Sequence, residues 1–136
     1  MVPISITYRG DLRCEAVHGP SSTRLITDAP VDNHGKGESF SPTDLVATAL
    51  GSCMTTIMGI AARAEGVKLD GARIDVEKHM ATTPPRRVGR LVVRFTMPAG
   101  IPAAKRAKLE HAARTCPVVF SLNPEITVEE SFSYPD

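Results

Sequence analysis

A chain of 136 residues, 42% of them apolar, has the length of one domain with a buried core, and residues 1–136 are expected to form a single domain. Sixteen Lys and Arg against fifteen Asp and Glu leave a formal charge of +1 with no basic run, which excludes the electrostatic footprint of a nucleic-acid binder. With no Trp, two Tyr and four Phe the core must be aliphatic, and three cysteines behind an N-terminus without a secretory pattern predict reduced thiols in the cytoplasm.

Taken in chain order, "ISITYRG" alternates Ile4, Ile6 and Tyr8 with Ser5 and Thr7 and reads as a strand. Gly10-Asp11 is a hairpin turn pair, after which "LRCEAVH" and "TRLITDA" read as two more strands. Residues 28–41 are rich in turn formers and are expected to be a loop. Ser41-Pro42 then opens a helix, with Ser as N-cap, Pro at the first helical position and Asp44 in the first turn. That helix should run to about Glu65, where Gly66 supplies a stop, and Leu45, Ala49, Cys53, Ile57 and Ala61 recur along one stripe. It is apolar nearly all round and so is expected to be buried on most sides.

Residues 45–62 carry no charge, the lower length limit for a membrane span. They include Thr48, Gly51, Ser52, Thr55, Thr56 and Gly59, no basic cluster flanks them, and strand-like sequence surrounds them, so a buried central helix is the reading and no membrane partner is expected. "ARIDVEKHMA" alternates Ile74, Val76 and Lys78 with Asp75, Glu77 and His79, a strand with one wet face. "TTPPRRVG" is a link, "RLVVRFTMP" a strand, "IPAAKRAKLEHAART" a second helix, and "EITVEESFSY" a last strand. The order βββ, helix, ββ, helix, β predicts an α+β chain with antiparallel sheets. One small sheet cannot cover the long helix, so a dimer that sandwiches it is expected.

Read from the residues alone, Cys53 is a small hydrophobe on an apolar stripe, which favours a structural role. Gly51, Ser52, Thr55 and Thr56 soften that reading: they let other groups approach, and their hydroxyls could donate to a thiolate. Cys116, directly before Pro117, can occupy an N-cap, where free N–H groups and the helix dipole lower a thiol pKa. Cys14 reads as structural. There is no C-x-x-C or H-x-x-x-H pattern, and His18, His34, His79 and His111 are scattered over different elements, so neither metal nor cofactor is expected. A serine-hydrolase elbow, G-x-S-x-G, is not supplied by "GSCMT".

Together, "SPTDLVATALGSCM" and "ARTCPVVFSLN" resemble the helix-opening motif and the Cys-Pro element of the osmotically induced protein C and organic hydroperoxide resistance family. The resemblance spans essentially the whole chain. It implies an intertwined homodimer whose sheets wrap around two central helices, and reduction of organic hydroperoxides with an external dithiol as reductant. By position, Cys53 would be the peroxidatic thiol and Cys116 the resolving one, whereas the N-cap argument favours Cys116 as the attacker. The family uses an Arg from the N-terminal half, tied to a helix-start Glu. Here Thr43 stands in the Glu place with Asp44 one residue later, and no Arg lies between Arg24 and Arg63. Asp44, Arg86 and Arg87 are therefore the supporting candidates, in the pattern of a divergent branch. The rival reading is a non-catalytic dimeric protein that binds a small molecule in an apolar interface pocket.

Overall fold

Alternating apolar and polar residues make three strands of the first 28 residues, β1 (Ile4–Gly10), β2 (Arg13–His18) and β3 (Arg24–Asp28). The computed structural model describes residues 1–135. Its contacts fall into two compact units, Met1–Val46 and the remainder from Ala47.

In the first unit the strands form an antiparallel sheet in the order β1-β2-β3. The hairpin turn lies one residue beyond the expected pair. Gly10 (φ 84) still pairs with Arg13, and the turn residues are Asp11 (φ 51) and Leu12 (φ 63). Two consecutive left-handed residues are what a tight hairpin of matching twist requires, and the Tyr8 hydroxyl accepts the Leu12 N–H at 3.2 Å.

The turn-rich loop after β3 holds one short 3-10 turn, Val31–Asn33, and is anchored by Asp28. The Asp28 N–H donates to the Phe40 carbonyl at 3.0 Å, and its buried carboxylate accepts the Glu38 N–H at 3.0 Å and an Arg13 guanidinium N–H at 3.4 Å. The Glu38 N–H, ahead of Arg13, holds the Asp28 carboxyl below the usual carboxylate range. Ser41 and Asp44 then start helix α1 (Pro42–Ala64) as a reciprocal capping box. The Ser41 hydroxyl accepts the Asp44 N–H at 3.1 Å, and the Asp44 carboxylate accepts the Ser41 N–H at 2.8 Å.

In the second unit α1 buries Ala47, Leu50, Gly51, Met54, Met58 and Ala62. The buried row thus lies one position round from the expected stripe: Cys53, Ile57 and Ala61 flank it half-buried, and Ala49 is exposed. Ser52, Thr56 and Ile60 are exposed too, so within one chain α1 is buried along one face rather than on most sides. By length and composition alone α1 is apolar enough to cross a membrane, yet its Leu50, Met54 and Met58 are fully buried in the core. The helix ends as read. Gly66 takes φ 67, the Val67 N–H reaches back to the Ala62 carbonyl at 2.8 Å, and the Gly66 N–H bonds the Arg63 carbonyl at 3.2 Å, a Schellman arrangement.

β4 (Arg73–Met80), β5 (Val88–Thr96) and β6 (Thr127–Ser133) form the second sheet. β4 and β5 are antiparallel, but β5 and β6 are parallel, which corrects the expectation of purely antiparallel sheets. The crossover that a parallel pair needs is supplied by α2 (Ala103–Arg114) and α3 (Pro117–Ser121). The register places Ile74, Val76, Leu91, Val93, Phe95, Val128 and Phe132 on the face that packs into the core, with Phe95 and Phe132 stacked at 4.6 Å.

Helix α2 is fastened at both ends. Lys105 donates to the Glu65 carbonyl and Lys108 to the Glu65 carboxylate, which Lys108 holds below its usual pKa. Towards β6, Arg114 bonds Glu130 at 2.6 Å and lies over the Phe132 ring, and Arg106 lies 4.3 Å over the Tyr134 ring. The Tyr134 hydroxyl donates to Glu110 at 3.0 Å; burial, then Glu110, pushes its pKa up to about 12. These contacts fix the end of α2, and Cys116 follows two residues after Arg114.

Candidate thiol site

Cys116 sits where α2 has ended and α3 begins. It is the N-cap of α3, in extended conformation (φ −73, ψ 150), with Pro117 at the first helical position. Its Sγ accepts the Val119 N–H at 3.5 Å. The capping geometry read from Cys-Pro is therefore present, but its expected electrostatic consequence is not. The side chain is completely buried among Leu109, Ala113 and the core residues of α1. Burial pushes the thiol pKa up, the Val119 N–H pulls it down, and the neighbouring Cys53 pushes it up again. Desolvation is the largest of these effects, so Cys116 is held as a neutral thiol, the reverse of the lowered pKa that the dipole argument predicts.

Cys53 comes from the middle of α1, half-buried and packed against the core. Two residues earlier Gly51 lets α1 settle on β4. A Cβ at Gly51 would stand 2.7 Å from the Val76 Cγ2, so the close approach requires glycine. Cys53 is near enough to Cys116 to raise its pKa, and both are free thiols, not a disulfide. The hydroxyls near Cys53 are otherwise engaged: Thr55 donates to the Gly51 carbonyl at 2.7 Å and Thr56 to the Ser52 carbonyl at 2.8 Å. They serve the helix backbone, not a thiolate as the sequence reading allowed.

The supporting candidates are placed as follows. The Asp44 carboxylate caps α1 through the Ser41 N–H. Arg87 turns back onto its own link, donating to the Thr83 and Pro85 carbonyls at 2.9 Å each, and Arg86 is exposed beside it. Cys14 lies on β2 opposite Tyr8 and Thr27. Among the described residues no three His, Cys, Asp or Glu side chains converge as a metal site would require.

Two neighbouring free thiols in unequal environments, Cys53 on α1 and Cys116 capping α3, are the candidate site of this α+β fold. The sequence profile of the OsmC-like protein family matches residues 35–131. A proposed osmotic stress induced and detoxification response protein from Psychrobacter arcticus 273-4 is 44% identical, with a TM-score of 0.93 over 98% of this chain and 96% of that one. The chain belongs to the OsmC-like family. An organic hydroperoxide resistance protein OsmC from Legionella pneumophila shares the fold at 16% identity, with a TM-score of 0.77 over 98% of this chain and 96% of its own. So does a proposed organic hydroperoxide resistance protein from Vibrio cholerae, captured with captopril in one of its active sites, at 16% identity and a TM-score of 0.74 over 96% and 90% of the two chains. No curated protein matches the chain.

Alkylation should report the inequality of the thiols. At pH 8, in folded protein, iodoacetamide should label Cys116 far more slowly than in urea, where burial is removed. Because the fold favours the neutral Cys116 thiol, its contribution to stability is intact below the unfolded value of 9.0 and is lost as pH rises through the higher folded value. Equal labelling of Cys116 in folded and unfolded protein, read by peptide mass spectrometry, would contradict this account.

Proposed function

We propose that the protein reduces organic hydroperoxides through Cys53 and Cys116. The observation that carries this reading is the adjacency of two free thiols with unequal environments. Members of the family are typically homodimers that act on hydroperoxides, and two proteins that share this fold are organic hydroperoxide resistance proteins.

In this mechanism the Cys53 thiolate attacks the terminal peroxide oxygen. The O–O bond breaks, the alcohol leaves with a proton, and Cys53 becomes a sulfenic acid. Cys116 then attacks the Cys53 sulfur, water departs, and a disulfide joins the pair. An external dithiol restores both thiols by exchange. Burial supports Cys116 as the resolving member, since a thiol held neutral is a poor first attacker. It acts second, on a sulfur already beside it. Arg86, on the 81–87 link, is our candidate for the cation that stabilises the Cys53 thiolate; Arg87 is occupied with carbonyls of that link. Asp44 supports the site by fixing the start of the helix that carries Cys53. A homodimer in the reducing cytoplasm, with no membrane or nucleic-acid partner, completes the reading.

The test is to treat reduced protein with one equivalent of cumene hydroperoxide and map its peptides by mass spectrometry. A Cys53–Cys116 disulfide is expected. If both remain free thiols, or only Cys14 is modified, the catalytic reading fails and a non-catalytic binding role replaces it.

A further inference from the structure

Along β6 and the residue beyond it, Val128, Glu130, Phe132 and Tyr134 are partly buried, while Glu129, Ser131 and Ser133 between them are exposed. By the twofold period of a strand they share one side. Glu130 is the charged member of that row, a carboxylate where the alternation calls for an apolar residue. Its partner comes from the last turn of α2. The Arg114 Nε donates to the Glu130 carboxylate at 2.6 Å, and the same guanidinium lies 3.6 Å from the Glu110 carboxylate. It also lies 5.3 Å over the Phe132 ring, which is stacked in turn on Phe95. One side chain thus joins the end of α2 to β6 through two carboxylates and an aromatic face. The helix stops there, where the Thr115 N–H bonds the Ala112 carbonyl at 3.1 Å, and Cys116 is the next residue.

An ion pair whose arginine is 45% exposed adds little to global stability, so its consequence is local. Cys116 is completely buried and cannot search for its target. The position of its sulfur is set by the backbone on either side, α2 before it and the five-residue α3 after it. We infer that Arg114, held between Glu110 and Glu130, is a positioning residue for the resolving step, fixing the place from which Cys116 meets the oxidised Cys53. This inference rests on the peroxidase reading above. In that step the Cys116 sulfur bonds to the Cys53 sulfur and the S–OH bond of the sulfenic acid breaks. The departing hydroxide takes up the Cys116 proton and leaves as water, and no outside electron donor is consumed. Such an intramolecular step depends steeply on geometry, whereas peroxide attack at Cys53, on α1, does not involve the end of α2.

The experiment uses the competition for the sulfenic acid, which either condenses with Cys116 or meets a second peroxide and becomes sulfinic acid. Reduced full-length protein is mixed with rising concentrations of cumene hydroperoxide, quenched, and mapped by peptide mass spectrometry. The concentration at which half of Cys53 is over-oxidised measures the resolving rate against the second oxidation. Arg114→Gln and Glu130→Gln should each lower that concentration about tenfold or more, the loss expected when a reacting group is displaced slightly. The double variant should lower it no further than Arg114→Gln, since both changes break one contact. Arg114→Lys, which keeps the charge but not the fork, should lie nearer wild type, and the first oxidation of Cys53 should keep its wild-type rate in all four. A wild-type half-point in Arg114→Gln, additive effects in the double variant, or a first oxidation slowed in parallel overturns the inference, while a wild-type Cys53–Cys116 disulfide leaves the peroxidase reading standing. If wild type forms no such disulfide, the peroxidase reading has failed and this inference falls with it.

Discussion

On the proposed mechanism, Cys53→Ser is expected to lower peroxide consumption by about 10³-fold or more, because it removes the sulfur that would take the peroxide oxygen, and residues that act as a unit lose nearly all activity together. Cys116→Ser should behave differently. It should consume about one equivalent and stall, because the sulfenic acid at Cys53 forms normally but has no neighbour to condense with. Continued peroxide would then drive Cys53 to sulfinic and sulfonic acid, which intact-mass spectrometry reads as successive additions of one oxygen. Cys14→Ser should remain active, since Cys14 lies on β2 between Tyr8 and Thr27 and takes no part in the pair. The pattern of outcomes discriminates sharply. If Cys116→Ser turned over like the wild type, the resolving step would have to come from outside the chain. If Cys116→Ser showed no first equivalent while Cys53→Ser did, the roles of the two thiols would be reversed.

That the order of attack was ambiguous in the sequence has a physical origin. The Cys-Pro dipeptide gave the N-cap, and the N–H contact from Val119 is there at 3.5 Å. What no local pattern could convey is that α1 and α2 close completely over Cys116, so that desolvation outweighs the cap. The same division runs through the fold. Features set by neighbours in sequence were legible: the Ser41 N-cap, the Gly66 stop, the wet face of β4, the three N-terminal strands. Features set by distant segments were not. The parallel pairing of β5 with β6 depends on where the α2–α3 crossover delivers the chain. The buried row of α1 depends on which residues meet β4, and the Gly51–Val76 approach rotates that row one position from the stripe that fourfold spacing suggested.

Sedimentation velocity at micromolar concentration should give twice the 14.6 kDa chain mass, and Ile6→Asp should abolish that dimer together with the order of the N-terminal sheet. The register of β1, β2 and β3 puts Ile4, Ile6, Tyr8, Cys14, Ala16, His18, Leu25 and Thr27 on one face. On that face Ile4, Ile6 and Tyr8 are each more than 60% exposed. The opposite face carries Arg9, Arg13, Glu15 and Arg24, with Glu15 paired to Arg9 and Arg24. A three-stranded sheet gains independent stability only by covering its apolar face, and a bare contiguous patch of this kind marks an interaction surface on a soluble protein. Burying each isoleucine contributes about 1.5–3 kcal/mol, so in the proposed homodimer Ile4 and Ile6 with Tyr8 are the residues whose burial under a second copy would stabilise this unit. A charge placed at Ile6 would lose that burial and add the cost of desolvating an unpaired carboxylate. Because folding and association are then linked, dissociation should coincide with loss of structure, and the thermal midpoint should rise with protein concentration. A wild-type chain that sediments as a folded monomer, or an Ile6→Asp variant that remains a dimer with an unaltered midpoint, would show that this face is not the one the second copy covers.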